Sequence, residues 1–451
     1  MSPDALRSTL AYLGVRPRRS MGQNFLRDDG LARELADFVE AQPDDTVIEV
    51  GPGTGAVTQH LAGRGKRLML IEKDARLAAH HGEVFAGNQR VQVIAADALA
   101  IDLRPFFKFA PVKLLGNLPY SVGTAILTRW LQNPSPVSRA VFMLQKEVCE
   151  RLAAEPATKA YGQLSLHVQA RWNVQSLRAV PPDAFHPRPK VDSAVVALTP
   201  RERSTLPVFD ELVFARLVRQ GFSQRRKQLK NLLPTTPRDW QDVCAALNVP
   251  ETARAEELSL AQWVDLARLF DPRPQRDDAQ NLNEIFDVVD EENRVIGTAM
   301  RGDVHRQALR HRAVHVLVFN RHGELLLQKR SHLKDTFPEK WDSSCSGHLD
   351  AGEDYLSCAT RELNEELGIS RLADGPRRVA MLPASEDTGW EFIEIFTAQH
   401  DGPVNFPAAE IECVCPFPLA EVRAWAAARP HDFASGFLKC FSVLPDSYHT
   451  R

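Results

Sequence analysis

The strongest constraint on the fold is a regular alternation of strand-like and helix-like segments along residues 1–200. The strand-like runs are rich in aliphatic residues: Thr46–Val50, Arg67–Glu72, Val91–Ala95, Val112–Leu115 and Ala140–Leu144. Helix-like stretches separate them, and parallel strands need such long crossover connections. The alternation therefore predicts an α/β fold, built on a parallel sheet with crossover helices.

The pattern changes further along the chain. Residues 205–270 carry apolar residues at helical spacing and no convincing strand. The stretch DPRPQRDDAQ at 271–280 mixes proline with charge, which is typical of a linker. A new pattern begins at Phe286, with strand candidates at 314–319 and 324–329 around an Asn-Arg-His-Gly turn.

These changes predict four parts with the bounds 1–200, 201–270, 271–282 and 283–451. Residues 1–270 carry 35 Lys and Arg against 28 Asp and Glu, a net charge of +7, whereas the whole chain has −3. The remainder therefore has a net charge of −10. A basic part favours a polyanion such as nucleic acid, and an acidic part can hold a divalent metal.

The sequence gives no sign of disulfides or of a membrane partner. Its seven cysteines include no CxxC pair, so neither a zinc knuckle nor a disulfide framework is indicated. No apolar run approaches the about 18 residues of a membrane span, and residues 1–20 lack the apolar segment of a secretory signal. We therefore expect a soluble, cytoplasmic protein.

Acidic residues follow three successive strands of the first part. VIEVGPGTG at 47–55 is an apolar strand that ends in a glycine-rich turn, where the backbone can approach a ligand closely. The next strand ends in Glu72, which can accept hydrogen bonds from ribose hydroxyls, and the third reaches Asp97, which could meet an adenine amino group. The glycines by themselves would be explained by a tight turn that binds no ligand. The acidic residues at three successive strand ends, however, favour a nucleoside cofactor.

The spacing of the glycines narrows the choice of cofactor. Gly51, Gly53 and Gly55 do not match the G-x-G-x-x-G fingerprint of dinucleotide sites. Glu49, just before the turn, suits a cationic group better than a pyrophosphate. S-adenosylmethionine carries a sulfonium and an α-amino group, so the sequence favours it.

The fourth strand ends in Asn117-Leu118-Pro119-Tyr120. An amide oxygen and a backbone carbonyl can accept both protons of an exocyclic amine while the aromatic ring stacks on the base. Adenine N6 is a poor nucleophile because its lone pair is delocalised into the ring, and these hydrogen bonds favour its pyramidal, nucleophilic geometry. Methyl transfer then needs proximity and electrostatics rather than a side chain of shifted pKa.

Six segments in this order resemble the ribosomal small-subunit RNA adenine dimethyltransferase family: GQNFLRD (22–28), VIEVGPGTG (47–55), NLPYSV (117–122), FMLQKEV (142–148), FHPRPKVDS (185–193) and FSQRRKQLKNLL (222–233). The resemblance covers about residues 1–270. It implies a class I, Rossmann-like methyltransferase with a small helical domain. Such an enzyme dimethylates N6 of two adjacent adenosines in small-subunit ribosomal RNA, a step of ribosome biogenesis.

The same resemblance assigns roles to individual residues. The implied cofactor-binding residues are Gln23, Asn24, Leu26, Gly51, Glu72, Asp97 and Asn117. The implied catalytic residues are Asn117, Leu118, Pro119, Tyr120 and Phe185. Phe185 would sandwich the target adenine against Tyr120, and aromatic rings on both faces offset the unstacking cost of about a few kcal/mol.

A basic patch lies in the helical segment and consists of Arg225, Arg226, Lys227 and Lys230. A charge run is usually a solvated face. In a family that modifies RNA, however, this patch is expected to contact phosphates, with the salt dependence that such contacts bring.

The run GHLDAGEDYLSCATRELNEELGI at 347–369 contains three glutamates that share one helix face at positions i, i+3 and i+4: Glu362, Glu365 and Glu366. Clustered carboxylates repel unless a cation neutralises them, and hard oxygen ligands favour Mg²⁺ or Mn²⁺. Arg361 lies four residues before Glu365 and can also reach Glu353, so we expect it to orient the ligands.

Every fixed position of the Nudix box is filled in this run, so residues 283–451 resemble Nudix hydrolases, which have an α/β/α sandwich fold. The implied metal-binding residues are Gly347, Glu362, Glu365 and Glu366. Glu365 and Glu366 would also be catalytic, in the attack of water on a diphosphate-containing small molecule. Glu410 is a candidate for an extra ligand or base, and the alternative is that it belongs to an exposed acidic loop without a ligand.

Segments within 284–345 also resemble the Nudix branch that includes isopentenyl-diphosphate isomerase. In that branch a cysteine directly before a Gly-His pair serves in protonation at carbon. Here Ser346 precedes Gly347-His348, and Cys345 lies one place earlier on a strand, hence on the opposite face. A serine hydroxyl is far less acidic than a thiol, whose pKa is about 8.5, so the sequence favours hydrolysis.

The leading hypothesis is thus a bifunctional enzyme, a ribosomal RNA methyltransferase followed by a Nudix hydrolase. For the first part, the competing hypothesis is a ribosome-assembly factor that binds RNA and whose methyl transfer is dispensable. For the second part, the competitors are diphosphate isomerisation and a degenerate regulatory module.

Overall fold

The computed structural model describes residues 3–15, 24–236, 238–273, 278–279, 281 and 283–445, apart from the side chains of residues 3–5 and 7. The chain forms two compact units. The first comprises Met1–Thr205 and Leu212–Leu266, and the second comprises Leu206–Glu211 and Ala267–Arg451. Part of the predicted linker (274–277, 280 and 282) lies outside the described residues, and the boundaries at 200, 270 and 282 stay predictions.

The strands of the first unit are β1 (Phe25–Leu26), β2 (Thr46–Val50), β3 (Arg67–Glu72), β4 (Val91–Ala95), β5 (Val112–Asn117), β6 (Val137–Gln145), β7 (Trp172–Val180), β8 (Phe185–His186) and β9 (Ser193–Pro200). Seven of them form one sheet with the order β4-β3-β2-β5-β6-β9-β7, and β1 and β8 form a separate short pair. Strands β4, β3, β2, β5 and β6 are parallel, as predicted. The antiparallel strands β9 and β7 extend the sheet beyond the prediction.

The helices described up to residue 270 are α1 (Pro3–Tyr12), α2 (Asp29–Phe38), α3 (Thr58–Leu61), α4 (Ala75–Val84), α5 (Gly123–Leu131), α6 (Lys146–Leu152), α7 (Gln163–Gln169), α8 (Glu211–Gly221), α9 (Trp240–Leu247) and α10 (Leu260–Phe270). Aspartate side chains cap several N-termini: Asp28 accepts from Leu31 N before α2, and Asp74 accepts from Arg76 N before α4. Among the described residues of 205–270 there are helices and no strands, as predicted.

Two hydrophobic cores cover the two faces of this sheet. Because side chains alternate along a strand, Val47 enters one core and its neighbour Ile48 enters the other. All five residues of β2 are buried. The sheet is thus covered on both faces, and its carboxyl edge remains available for ligands.

The second unit contains another seven-stranded sheet and a separate hairpin. Its strands are β10 (Ile285–Val289), β11 (Val295–Met300), β12 (His311–Phe319), β13 (Glu324–Arg330), β14 (Trp341–Asp342), β15 (Cys345–His348), β16 (Arg377–Leu382), β17 (Glu391–Gln399) and β18 (Ile411–Pro418). The two predicted strands are present as β12 and β13, but they pair only beside the turn, at Phe319 and Leu325. Beyond it β12 pairs with β15 and β17, and β13 pairs with β18.

The described helices of this unit are α11 (Arg301–Arg306), α12 (Tyr355–Leu367), α13 (Leu419–Ala428) and α14 (Ser435–Ser442). Helix α12 begins where the Asp354 side chain accepts hydrogen bonds from two backbone N–H groups, and it ends at Gly368 with a φ of +68°. Its apolar side packs on the sheet through Leu363 and Leu367. Both units thus confirm the predicted α/β class.

Helices that could cross a bilayer are absent from the described ranges, because none is both long and apolar enough.

Candidate active sites

The first unit has a cavity of about 230 Å³ at the carboxyl edge of its sheet. The glycine-rich turn after β2 forms one wall, and Gly51, Gly53 and Gly55 all adopt positive φ, between +58° and +83°. L-residues rarely adopt this conformation, so glycine is required there. A Cβ on Gly53 would also lie 3.1 Å from the Phe25 ring, which lines the same cavity.

Two buried glutamates give this cavity its negative character. Thr58 Oγ1 donates to Glu49 Oε2 at 2.7 Å, and burial, reinforced by the nearby Glu72, raises the pKa of Glu49 to about 7. Glu72 accepts from the backbone N–H of Gly53 at 3.2 Å and of Asp74 at 2.8 Å. Burial also raises the pKa of Glu72. Two desolvated carboxyls at one edge suit a ligand that carries positive charge and hydroxyl donors.

Asp97 holds a more exposed position at the third strand end. Lys73 Nζ donates to its carboxylate at 2.7 Å, and the backbone N–H of Leu99 donates at 2.9 Å. The hydrogen bond from Lys73 lowers the pKa of Asp97. This side chain is therefore an ionised acceptor at the rim of the cavity.

The structure brings the predicted cofactor residues together around this cavity. Those that line it are Asn24, Leu26, Gly51, Glu72, Asp97 and Asn117. Gln23 lies outside the described residues. Their roles as ligands stay predictions, but their common location is the one that the sequence required.

The segment Asn117–Tyr120 begins at the last residue of β5 and lines the same cavity, together with Phe185 from β8. The Tyr120 and Ser193 hydroxyl oxygens lie 2.6 Å apart in a hydrogen bond, which fixes the tyrosine ring. Leu118 is buried in the core and packs against Gly116, where a Cβ would lie 2.7 Å from it. The two aromatic rings thus reach one cavity from separate segments, Tyr120 from the turn after β5 and Phe185 from β8, as the predicted base sandwich requires.

One residue that supports the glycine-rich turn was not predicted. His81 on α4 is buried, and its Nε2–H donates to the carbonyl oxygen of Gly53 at 3.0 Å. Burial lowers the pKa of His81, so the ring is neutral. The adjacent histidines His80 and His81 give no signal of such a contact in the sequence, and only the packing of α4 on the turn reveals it.

The four residues of the predicted basic patch differ in their surroundings. Arg225 pairs with Glu256 at 2.7 Å and donates to the carbonyl oxygen of Lys159 at 2.9 Å. It therefore contributes to packing within the unit. Arg226, Lys227 and Lys230 are exposed.

The second unit has a cavity of about 570 Å³ that the predicted metal-binding glutamates line. Glu362 and Glu366 are buried, whereas the side chain of Glu365 is 57% exposed. A Cβ on Gly347 would overlap the Glu362 carboxylate. Glycine at this position is therefore what allows Glu362 to occupy its place beside β15.

Arg361 orients the acidic side chains as predicted. Its Nη1 donates to Glu362 at 2.7 Å and to Glu365 at 3.0 Å. Its Nη2 donates to Glu353 at 2.9 Å and to the carbonyl oxygen of His348 at 3.0 Å. One guanidinium thus links the glutamates to the strand that carries Gly347.

The charges of this centre fit a divalent cation. Burial raises the pKa of Glu366 to about 7. Burial, together with the charge of Glu366, raises the pKa of Glu362 well above its usual range. Glu366 Oε2 accepts from Ser346 N at 3.1 Å and from Gln328 Nε2 at 3.3 Å, which fixes its orientation. The negative charges of these two buried carboxylates are unfavourable without a counter-ion. Their oxygen atoms are suitable ligands for Mg²⁺ or Mn²⁺.

Glu410 lines the same cavity but is already engaged. Lys334 Nζ donates to it at 2.9 Å, and Lys334 also lines the cavity. The strand β15 places Ser346 at the cavity and buries Cys345 in the core beneath α12. The prediction that these two neighbours face opposite sides is confirmed.

Comparison with known proteins agrees with this division of the chain. The family model described as "Ribosomal RNA adenine dimethylase" matches residues 14–271, and the model described as "NUDIX domain" matches residues 309–435. A relative from Geobacter metallireducens, named "Ribosomal RNA small subunit methyltransferase A", is 42% identical over 263 residues, which are 56% of this chain and 96% of the relative.

Two solved structures resemble parts of the chain. The crystal structure of the 23S rRNA methyltransferase ErmE has 26% identity and a TM-score of 0.46, and the match covers 55% of this chain and 100% of ErmE. DR0079 from Deinococcus radiodurans has 29% identity and a TM-score of 0.29, and the match covers 32% of this chain and 90% of DR0079. By the family match and the identity to its relatives, the chain belongs to the ribosomal RNA adenine dimethylase family, and it carries a NUDIX domain as well.

Proposed function

We propose that the first unit dimethylates N6 of two adjacent adenosines in small-subunit ribosomal RNA, with S-adenosylmethionine as the methyl donor. The observation that carries this proposal is the single cavity that contains acidic strand ends, the segment Asn117–Tyr120 and Phe185. The relatives' name, small subunit methyltransferase A, supports the choice of RNA.

The residues of the cavity fit the parts of this cofactor. Glu72 would bind its ribose hydroxyls and Asp97 its adenine amino group, because both carboxylates lie at strand ends beside the glycine turn. Glu49 adds negative charge behind Gly51, which favours the cationic groups. When bound, S-adenosylmethionine supplies an activated methyl group.

The chain's own residues would prepare the adenine. The Asn117 side chain and the backbone carbonyls of the following segment are acceptors for the two N6 protons. Tyr120, held by Ser193, and Phe185 offer aromatic faces to an unstacked base. Exposed Arg226, Lys227 and Lys230 carry the positive charge that phosphates require.

The test is a comparison of turnover with RNA affinity. Asn117→Ala should reduce kcat for methylation of unmodified small subunits by at least about 100-fold while changing RNA affinity little, because its hydrogen bonds matter most as N6 becomes nucleophilic. Asn173→Ala, at an exposed position of β7, is the matched control and should behave as wild type. Weaker RNA binding with unchanged kcat would favour an RNA-binding assembly factor instead.

We propose that the second unit is a Mg²⁺-dependent hydrolase of a nucleoside diphosphate-type substrate. The observation that carries this proposal is the buried pair Glu362 and Glu366, which Arg361 and Gly347 position. These two glutamates, Glu365 and the Gly347 carbonyl would hold the metal. When bound, Mg²⁺ polarises a diphosphate and lowers the pKa of water. Arg330 and Lys334 line the cavity, paired with Asp342 and Glu410, and they are the cations that would bind the diphosphate oxygens.

The experiment screens nucleoside diphosphate derivatives and isopentenyl diphosphate with the full chain. We expect Mg²⁺-dependent release of a phosphorylated product, which Glu366→Gln lowers by at least about 100-fold. Glu292→Gln, at an exposed turn, is the matched control. Formation of dimethylallyl diphosphate from isopentenyl diphosphate at enzymatic rates, lost in Cys345→Ala, would show that the unit is an isomerase.

A further inference from the structure

The start of helix α14 presents unpaired backbone donors to the cavity of the second unit. The N–H groups of Ser435, Gly436 and Phe437 have no hydrogen-bond partner among the described residues, and the side chain before them, Ala434, cannot cap the helix. Ser435 and Gly436 line the cavity of about 570 Å³ that also contains the Nudix glutamates. Unpaired N–H groups at a helix start carry partial positive charge, which favours an anion.

A buried histidine faces this helix start and gives independent evidence for a ligand. The His315 side chain is only 8% exposed, and it lines the same cavity. A Cβ on Gly436 would lie 3.5 Å from both Nε2 and Cε1 of His315, so this edge of the ring is turned toward α14. Nε2 has no hydrogen-bond partner among the residues that the structure describes. Buried polar atoms normally have a partner, so this nitrogen indicates a ligand in the cavity.

The opposite side of the His315 ring is held in place. Nδ1 lies 2.7 Å from Ser343 Oγ, and Ser343 N donates to Asp342 Oδ1 at 2.8 Å. The same Asp342 oxygen lies 3.9 Å from Nδ1, and the other oxygen is paired with Arg330 at 3.0 Å. A hydroxyl can donate to Nδ1 or accept from it, so Nε2 can carry a proton toward the cavity.

Strand β14 also fixes the chain just before α14. Ala434 N donates to the carbonyl oxygen of Trp341 at 2.9 Å, and Phe433 forms a parallel bridge with Trp341. Trp341 and Asp342 make up β14, which leads directly to Ser343. One short strand therefore positions both the helix start and the histidine, and the donors need little rearrangement to bind a ligand.

We propose that the start of α14, the Ser435 hydroxyl and His315 Nε2 bind a phosphomonoester group, which the substrate of the second unit carries in addition to its diphosphate. The donors are three N–H groups, one hydroxyl and one imidazole N–H. This set suits the three terminal oxygens of a phosphomonoester better than the two oxygens of a carboxylate. The word substrate rests on the proposed hydrolase function, whereas the binding of phosphate does not.

The proposed subsite lies beside the metal centre, so one molecule can occupy both. His315 on β12 is the direct cross-strand partner of Ser346 on β15, and such partners lie about 4.5–5.5 Å apart. Ser346 N donates to Glu366 Oε2 at 3.1 Å. The preferred substrate is therefore a diphosphate compound with a further phosphomonoester, rather than a simple nucleoside diphosphate.

The test is an NMR titration of full-length protein, labelled with ¹⁵N-glycine, with inorganic phosphate in the absence of Mg²⁺. The Gly436 amide signal is identified by its loss in Gly436→Ala. We expect phosphate to shift this signal saturably, sulfate to compete, and acetate to have little effect. His315→Phe and Ser435→Pro, each measured at Gly436, should weaken phosphate binding at least about tenfold.

Ser435→Pro removes one N–H group and the hydroxyl, yet it suits the first helical position because Ala434 is extended, with φ −66° and ψ 140°. It therefore decides the matter if His315→Phe does not fold. Ser442→Ala, at the exposed end of the same helix, is the matched control and should bind phosphate as wild type does. Lys334→Met, which changes the proposed diphosphate site, should also leave the Gly436 response unchanged.

The proposal is overturned if phosphate does not move the Gly436 signal, if acetate moves it equally, or if Ser435→Pro binds phosphate as wild type does. The titration needs no turnover, so a failed nucleotide screen leaves its result intact. With turnover, a further phosphomonoester should lower KM at least about tenfold relative to the same compound without it, and Ser435→Pro should remove this preference. Equal KM values for the two compounds in wild type would contradict the assignment to the substrate.

Discussion

Replacing Glu49 by glutamine should stabilise the first unit and weaken its affinity for a cationic cofactor. The Glu49 carboxyl is only 3% exposed, and Thr58 Oγ1 donates to it at 2.7 Å. Burial raises its pKa from 4.5 to about 7. Glutamine keeps the size and the acceptor oxygen but carries no charge, so it removes the desolvation cost together with the charge that a sulfonium would seek.

The expected stabilisation depends on pH. A carboxyl with a higher pKa in the folded state binds its proton more tightly there, so stability falls as pH rises from about 4.5 to about 7. At about 1.4 kcal/mol per pH unit, the full cost at pH 8 is about 3 kcal/mol. At pH 5 it is below about 1 kcal/mol, because the native carboxyl is then protonated. Glu49→Gln should therefore raise the free energy of unfolding mainly at pH 8.

Hydrogen exchange measured by mass spectrometry, in urea at pH 5 and pH 8, can follow peptides from β2 and β5 in the full chain. Calorimetry at pH 8 should show S-adenosylmethionine binding at least about tenfold more weakly to Glu49→Gln, since a hydrogen bond to a charged group contributes about 1.5–3 kcal/mol. Glu83→Gln, at an exposed position of α4, is the control and should change neither quantity. The reasoning would be refuted if Glu49→Gln lowered the free energy of unfolding or changed it equally at pH 5 and pH 8. An unchanged affinity for S-adenosylmethionine would refute it as well.

Three further predictions concern the RNA surface, the Nudix centre and the division of the chain. Changing exposed Arg226 and Lys227 to alanine should weaken RNA binding and flatten its salt dependence, with kcat unchanged. Filter binding at several salt concentrations measures this dependence, and an unchanged slope of log affinity against log salt concentration argues against phosphate contacts. Gly347→Ala should lower initial rates of Mg²⁺-dependent hydrolysis at least about tenfold, because the added Cβ overlaps a metal-binding carboxylate. Gly297→Ala, where a Cβ meets no atom within 4 Å, should be neutral, and equal rates in both variants would contradict the packing argument. Cutting near Gln275, which lies outside the described residues, should give two pieces that each keep their own activity; an insoluble or inactive piece would place the boundary elsewhere.

The strands of the first sheet were predictable because most of them are buried. The aliphatic runs at 46–50 and 67–72 are strands with these bounds, since a parallel strand covered on both faces is almost continuously apolar. Strand β7 lies at the edge of the sheet and mixes exposed polar residues into its sequence, so it gives no such run. The antiparallel insertion of β9 beside β6 depends on long-range pairing that local pattern does not encode.

The candidate sites also contain some features that local sequence pattern predicts and others that depend on long-range packing. The Nudix glutamates share one helix, so the spacing of Glu362 and Glu366 was enough to place them on one face. The contact of Gly347 with Glu362 and that of His81 with the glycine turn arise from packing between distant segments.

The most direct test of the account is methyl transfer to small ribosomal subunits that lack the modification. Full-length protein is incubated with these subunits and labelled S-adenosylmethionine, and the digested RNA is analysed for methylated adenosines by mass spectrometry. The account predicts N6,N6-dimethyladenosine at two adjacent positions, formed by wild type and lost in Asn117→Ala while RNA binding is retained. Tight binding of the subunits by wild type with no methyl group transferred to adenine N6 would contradict it.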